Sequence, residues 1–240
     1  MKEVSFVGID GCKAGWFVIG HNGKGKDIRA QLLPDIAAVA ESYSKARLIL
    51  VDMPIGLPHT TKRRCDTAAR KVLSPKRHSS VFPIPSRDSL YAASYLQACE
   101  VNLQLLGNKL SKQSWNIRDK MTEVDTFLLE NPAFQGKIRE CHPEVAFWSA
   151  NGQAPMPHSK KKKEGQADRL ALIASHIPNA SQLVEDCLSF WPRKKLQMDD
   201  ILDAFILAIS ASFPLKTLPD TPDIDLKGLP QEIVYPVIPH

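Results

Sequence analysis

The sequence predicts one α/β domain built on a mixed sheet. Three stretches predict it: an N-terminal strand meander, a helical crossover into a fourth apolar strand, and a long apolar helix near the C-terminus. Val4 to Ile9 is β-branched and aromatic, the composition of a buried strand. Gly11 and Gly15 bracket a loop short enough to fold the chain back into an antiparallel partner from Trp16 to Gly20. A turn cluster, His21-Asn-Gly-Lys-Gly25, precedes Asp27 to Leu33, which alternates as a third strand. Pro34 then opens a helix from Asp35 to Tyr43, with Ile36, Val39 and Ala40 on one face. Its end leads into Arg47 to Asp52, a continuous apolar strand of the kind buried on both faces after a crossover.

Composition narrows the function classes. A chain of 240 residues with 43% hydrophobic content can bury one sizeable core, with room for an insertion. No apolar run approaches the roughly 18 residues of a membrane span, and no basic-then-apolar leader is seen, so a cytoplasmic protein without membrane contact is expected. The five cysteines are scattered without a Cys-x-x-Cys pair, which argues against a disulfide frame or a structural zinc and for reduced thiols. A net charge of +5 mildly favours a polyanionic partner without deciding the matter.

The chemistry-bearing candidates are carboxylates at element ends. Asp10 ends a central strand; alone it reads as a turn aspartate, because Asp-Gly is a common hairpin signal. Asp52 ends the fourth strand, and Met53-Pro-Ile-Gly-Leu-Pro58 forbids strand or helix to continue. A crossover puts the C-terminal ends of neighbouring parallel strands on one edge of the sheet, where open α/β sheets hold their sites. Between His59 and Arg87 lie Lys62, Arg63, Arg64, Arg70, Lys71, Lys76, Arg77 and Arg87 against Asp66, a segment that is either a solvated face or a receiver of phosphates. A helix is expected over Lys62 to Leu73, a loop over Ser74 to Arg87, and further helices over Ser89 to Leu106 and Asn116 to Leu129. Together they form a helical insertion at about residues 58–135.

The sheet resumes at Gly136 to Phe147, read as a short strand running into a turn at Pro143. Glu140, His142 and Glu144 would then point to one side, and Glu144 is the one favoured to join the carboxylates. Lys160 to Lys163 reads as a solvated, mobile run, followed by an amphipathic helix from Glu164 to His176. The last long helix, Met198 to Ser210, carries the strongest signal. Asp199 or Asp200 serves as an ordinary N-terminal acid. Asp203 lies a turn inside a stretch apolar on nearly every side, and a carboxylate buried there needs a cation or a strong partner. Asp200 and Asp203 are neighbours on one face and repel by about 4 kcal/mol at ~4 Å under an effective dielectric near 20. A divalent cation relieves that repulsion, and hard oxygens without Cys or His favour Mg²⁺ or Mn²⁺.

These elements together resemble the ribonuclease H-like superfamily, and the whole chain is similar to the domain of unknown function 429 family of predicted nucleases. The motifs that carry the resemblance are Gly8-Ile-Asp10-Gly-Cys-Lys-Ala-Gly-Trp16, Asp52-Met-Pro-Ile-Gly-Leu-Pro58, Arg64-Cys-Asp66-x-x-Ala-Arg70, Ser80-Val-Phe-Pro83 with Arg87, His142-Pro-Glu144, and Asp199-Asp-x-x-Asp203-Ala. Ala14 departs from the family's usual glycine, and Gly228 to Pro236 follows its closing strand only loosely. The resemblance implies a ribonuclease H-like three-layer fold with a five-stranded sheet in the order 3-2-1-4-5. It further implies a nuclease of DNA or RNA. The expected site has Asp10 as the bridging metal ligand, Asp52 and Asp200 or Asp203 flanking it, and Glu144 accessory. Arg64, Arg70 and Arg87, with Lys13, are the expected phosphate grips. Alternatives on the same fold are a small-molecule or nucleotide phosphohydrolase or phosphotransferase, and a non-catalytic nucleic-acid-binding domain.

Overall fold

Strand pairing in the computed structural model, which describes residues 3–23 and 27–239, places the N-terminal hairpin at the centre of the sheet. Strands β1 (Phe6–Cys12) and β2 (Gly15–His21) pair antiparallel with Asp10 opposite Phe17, and β3 (Arg29–Leu33) pairs antiparallel with β2. Asp10 and Gly11 therefore lie within the strand, and the turn is made by Lys13 and Ala14 instead of a longer Gly11 to Gly15 loop. Lys24 and Gly25 of the expected turn cluster, and Lys26 after it, lie outside the described residues. Asp35 caps helix α1 (Ile36–Ser42), its Oδ1 accepting from Ala38 N at 2.7 Å. Strand β4 (Leu48–Val51) follows, parallel to β1 with Ile9 opposite Val51.

Between β4 and the next strand run helices α2 (Arg64–Val72), α3 (Arg87–Leu90), α4 (Tyr95–Leu106), α5 (Lys112–Asn116) and α6 (Arg118–Glu130). Of the two long helices expected here, the one over Ser89 to Leu106 is broken, because Ser94 acts as an N-cap and restarts the chain as α4, while the one over Asn116 to Leu129 is present as α6, preceded by the short α5 that Ser111 caps. Strand β5 (Ile138–Glu140) pairs parallel with β4. The turn expected at Pro143 is instead the first turn of helix α7 (Pro143–Ala150), where a proline's missing N–H costs nothing. Helices α8 (Lys163–Ala174), α9 (Ala180–Phe190) and α10 (Met198–Ala211) follow, and then a separate antiparallel hairpin, β6 (Leu215–Ile224) and β7 (Pro230–Pro236). Among the described residues the main sheet has five strands in the order β3-β2-β1-β4-β5, the order expected from the sequence.

Alternation along each strand divides the core into two layers. Val7, Ile9, Trp16, Val18, Ile49 and Val51 face α1 and α6. Phe17, Ile19 and Leu50 face α10 and its neighbours. By the same period, Gly8 and Asp10 on β1, and Asp52 just past Leu50, belong to the α10 face. The helix lies directly against β1 at Gly8, where an added Cβ would stand 2.1 Å from Ala208 N and 2.3 Å from Ala204 O. Buried His21 fastens the same contact with a 2.8 Å bond to the Ala208 carbonyl.

Gly8→Ala is expected to destabilise the protein by about 3 kcal/mol or more, because the obstructing atoms are helix backbone that cannot yield like a side chain. Urea unfolding of both proteins measures it, and a change below about 1 kcal/mol would show that α10 has freedom to move away from β1.

Candidate active site

A cleft of about 320 Å³ opens at the edge where β1 and β4 end, and Asp10, Asp52, Asp66, Glu140, His142 and Glu144 all line it. Two groups of charge divide it. In the first, Asp10 is buried, and its carboxyl is held well above the usual range by that burial and then by the neighbouring carboxylates of Asp52 and Asp203. Burial likewise raises Asp52, with Asp203 adding to the shift while His142 and Lys160 oppose it. Asp203 is 1% exposed and lies beneath Lys160, whose Nζ donates to its Oδ2 at 2.5 Å and stands 3.9 Å from Asp199 Oδ2. Its neighbour Lys161 bonds Asp199 at 2.5 Å. The lysine run expected to be solvated and mobile thus supplies the cations of this cluster. Burial costs the ammonium of Lys160, but Asp203, Asp10 and Asp52 outweigh that cost and raise its pKa.

The N-terminus of α10 assigns its acids differently from the simplest expectation. Gln197 is the N-cap, and Asp200 completes a capping box by accepting from Gln197 N at 2.8 Å. Burial raises Asp200 to about 6. Asp199 and Asp203, one turn apart, are the pair that Lys160 approaches.

The second group is Glu140, Asp66 and Arg63. Glu140 accepts from Ile55 N at 2.8 Å and from the fully buried Arg63 Nη2 at 2.5 Å, while Arg63 Nε lies 3.7 Å from Asp66. Burial pushes the Glu140 carboxyl up to about 8 despite its arginine. Nearby, Glu144 belongs to a third ion pair. Both its oxygens accept from Arg169 Nη2 at 2.8 Å, and Arg77 Nε stands 4.0 Å away. Glu144 is therefore the counter-charge of a fully buried arginine on α8 and not an accessory partner of Asp10. Nor does it alternate with Glu140 and His142 along one strand, since β5 stops at Glu140. His142 caps α7, its Nδ1 accepting from Glu144 N at 3.1 Å.

The arginines expected to grip phosphate lie elsewhere. Arg64 is bidentate to Asp223 on β6 at 2.6 Å. Arg70 donates to the Val81 carbonyl, and Arg87 joins Asp125 on α6 to Asp225 in the β6–β7 connection. None of the three lines the cleft, and each ties the insertion to itself or to the hairpin. Lys13, at the β1–β2 turn, lies on an adjoining groove. Lys160, Arg77 and Arg169 are the cations that line the cleft; the sequence placed Arg77 in a segment that could receive phosphates without singling it out, and read neither Lys160 nor Arg169 as part of the site. The signal for Arg169 is Gly165 one turn earlier, where a Cβ would stand 2.1 Å from Ser159 O. Only a small residue there lets the Ser159–Lys160 loop close over the helix.

The donor chemistry suits a hard divalent ion: the oxygens of Asp10, Asp52 and Asp203 repel one another and are left partly uncompensated. Among the described residues, however, no three His, Cys, Asp or Glu side chains stand close enough to hold an ion as they are. The ammonium of Lys160 occupies the place of the counter-charge.

The chain belongs to the family described as protein of unknown function (DUF429), whose profile matches residues 8–223. In the comparisons with curated proteins and with solved structures, nothing matches. The described residues contain no helix long and apolar enough to cross a membrane.

Two measurements follow from the charges. Glu140 binds its proton more tightly folded than unfolded, so its contribution is full below about pH 4.5 and is lost as pH rises towards 8. Stability should fall across that window in the wild type and fall less in Glu140→Gln, as urea midpoints at several pH values would register. Lys160→Met should cost about 1–3 kcal/mol at pH 8 in EDTA, less than for a fully buried pair because the lysine side chain is 36% exposed. An unchanged melting temperature would show that the carboxylates do not depend on it.

Proposed function

We propose that this protein is a metal-dependent nuclease of ribonuclease H-like type that hydrolyses phosphodiester bonds of nucleic acid in the cytoplasm. The observation that carries the reading is the approach of Asp10, Asp52 and Asp203 from three separate elements, the first two lining the cleft and the third beneath Lys160, with Asp10 held above its ordinary pKa by burial, Asp52 and Asp203, and Asp52 by burial and Asp203. A structural role would pair each acid with its own partner, as Glu144 is paired with Arg169. Here three acids share mainly one ammonium. On this reading Asp10, Asp52 and Asp203, with Asp200 at the flank, hold Mg²⁺ or Mn²⁺ once Lys160 withdraws. Such an ion lowers the pKa of a bound water and stabilises charge on phosphoryl oxygens.

The chain's own residues supply the rest. Lys160 lies on the Ser159–Lys160 loop, beside the carboxylates, and its charge suits a phosphate oxygen as well as an aspartate. Arg77 lines the same wall, donating to the Met156 and Pro157 carbonyls, and adds positive potential without a bidentate acid partner. Phe82, Ile84 and Ile117 give the cleft an apolar side that limits water. The five cysteines are free and buried, in keeping with a reducing compartment.

The small cleft favours a second reading on the same chemistry, hydrolysis of a nucleotide or other small phosphoester, since about 300–1,000 Å³ is the usual range for small-molecule sites. Calorimetric titration with Mn²⁺ tests what the two share. Asp10→Asn should weaken binding at least about tenfold and abolish hydrolysis, whereas Lys160→Met should bind Mn²⁺ more tightly than wild type because the competing cation is gone. Mn²⁺ affinity unchanged in both variants would overturn the carboxylate site, and turnover of mononucleotides but not oligonucleotides would select the second reading.

A further inference from the structure

Beside the cleft runs a second depression, a groove of about 680 Å³ between the β1–β2 turn, the start of α6 and the α9–α10 connection. Gly11 and Ile117 line both, so the two adjoin. The groove is lined by four lysines, Lys13, Lys120, Lys194 and Lys195, and three acids, Asp119, Glu123 and Asp200. The acids are engaged. Glu123 accepts from Trp16 Nε1 at 2.8 Å and from Ile36 N at 2.5 Å, Asp200 closes the capping box, and Asp119 lies 3.2 Å from Arg118. Lys120 donates to the Gly15 carbonyl at 2.7 Å. Lys13, Lys194 and Lys195 are exposed, and their side chains make no hydrogen bond or ion pair among the described residues. Arg193 adds a further exposed cation next to them. The four lysines outnumber the three acids, and with Arg118 and Arg193 beside them the groove is net positive up to the residue that follows Asp10, Gly11.

We infer that this groove is the track for a single strand of nucleic acid, whose backbone lies along Lys13, Lys194 and Lys195 while one nucleotide enters the cleft past Gly11 and Ile117. The inference rests on the phosphodiesterase reading and adds to it the form of the substrate. Three features favour a single strand over a duplex. The cleft, at about 320 Å³, has room for one nucleotide. A duplex, whose major groove alone is about 12 Å wide, cannot follow its backbone into such a space without unpairing. The apolar side of the cleft, with Phe82 half-buried among Ile84, Met53 and Pro54, offers a face to an unstacked base. A basic track beside an aromatic wall is the combination that binds single strands without regard to sequence.

The experiment is fluorescence anisotropy in EDTA, which prevents turnover, with a labelled single strand of about 12 nucleotides and a duplex of the same sequence. The variants are Lys13→Gln/Lys194→Gln/Lys195→Gln and, as an off-groove control, Lys62→Gln/Lys71→Gln. Wild type should bind the single strand at least about tenfold tighter than the duplex. The triple variant should lower the slope of log affinity against log salt by about 2, the value for three lost contacts on a single strand, and the control should leave it unchanged. Because the substituted lysines are exposed, thermal melts should coincide with wild type. Equal affinity for duplex, an unchanged slope in the triple variant, or displacement of the strand by poly-glutamate as readily as by unlabelled strand would each overturn the proposal. Hydrolysis of bis(4-nitrophenyl) phosphate by wild type, an ester with no strand to lie in the groove, decides the phosphodiesterase reading separately. Strand selectivity with no such hydrolysis supports the groove and removes the catalytic reading alone.

Discussion

The contact on which the site depends is the direct approach of α10 to β1 at Gly8. A helix whose surface is buried from Ile201 to Ala211 needs apolar cover on every side, and the sheet together with α7, α8 and α9 supplies it. The missing side chain at Gly8 lets the two backbones touch, and His21 holds the Ala208 carbonyl from the next strand. That closeness fixes the axial position of the helix. Asp203 is then carried to the end of β1, where Asp10 already faces the same layer by strand alternation. Packing, not attraction, brings these two acids together, since at that distance their charges oppose the arrangement.

Three buried or half-buried cations make the acidic edge tolerable. Arg63 compensates Glu140 and Asp66, Arg169 compensates Glu144, and Lys160 compensates Asp203 with a share for Asp10 and Asp52. The two arginines are sealed and hold their acids through short bonds, so they act as fixed parts of the wall. Lys160 differs in kind. Its side chain is 36% exposed, it lies on a loop, and its flexible stem lets the ammonium move. An edge with two fixed ion pairs and one adjustable one can exchange its counter-charge only at the adjustable position, which is where the three acids meet.

The insertion serves a second purpose through the arginines that the sequence singled out. Arg87 bonds Asp125 and Asp225, Arg64 bonds Asp223, and Leu57 N donates to Asp225 at 3.0 Å. These bonds attach the helices of the insertion, the loop after Asp52 and the β6–β7 hairpin to one another. Gly56 is necessary there: its φ is +71°, and a Cβ would stand 2.4 Å from Pro230 O. The Asp52 loop is therefore clamped between β4 and β7, which sets the height of Asp52 above the sheet edge and gives the cleft its far wall.

The first four strands, the buried helix and the positions of the three central aspartates were legible because each is written locally, while the strand order followed from the family resemblance. Apolar alternation, a crossover that fixes handedness, and an acid inside an apolar helix all lie within a few residues of one another. Of the β6–β7 hairpin, β7 was anticipated only by the loose match of Gly228 to Pro236 to the family's closing strand, and β6 was not legible, because Pro219 and Pro222 interrupt it. Glu144 shows the limit most clearly. From the sequence it was one more acid beside a strand end, and the helix start at Pro143 together with an arginine 25 positions later decided that it would be an ion-pair partner instead. Likewise Arg64 and Arg87 looked like phosphate ligands and Lys160 like solvated charge, and tertiary structure reversed the assignments. A side chain's charge is fixed by its identity, but which opposite charge it meets depends on long-range packing, and a long flexible cation reaches whatever acid the fold brings within its radius. The sequence by itself thus determined which elements carry the acids, and only the tertiary structure decided which of those acids meet and which cations answer them.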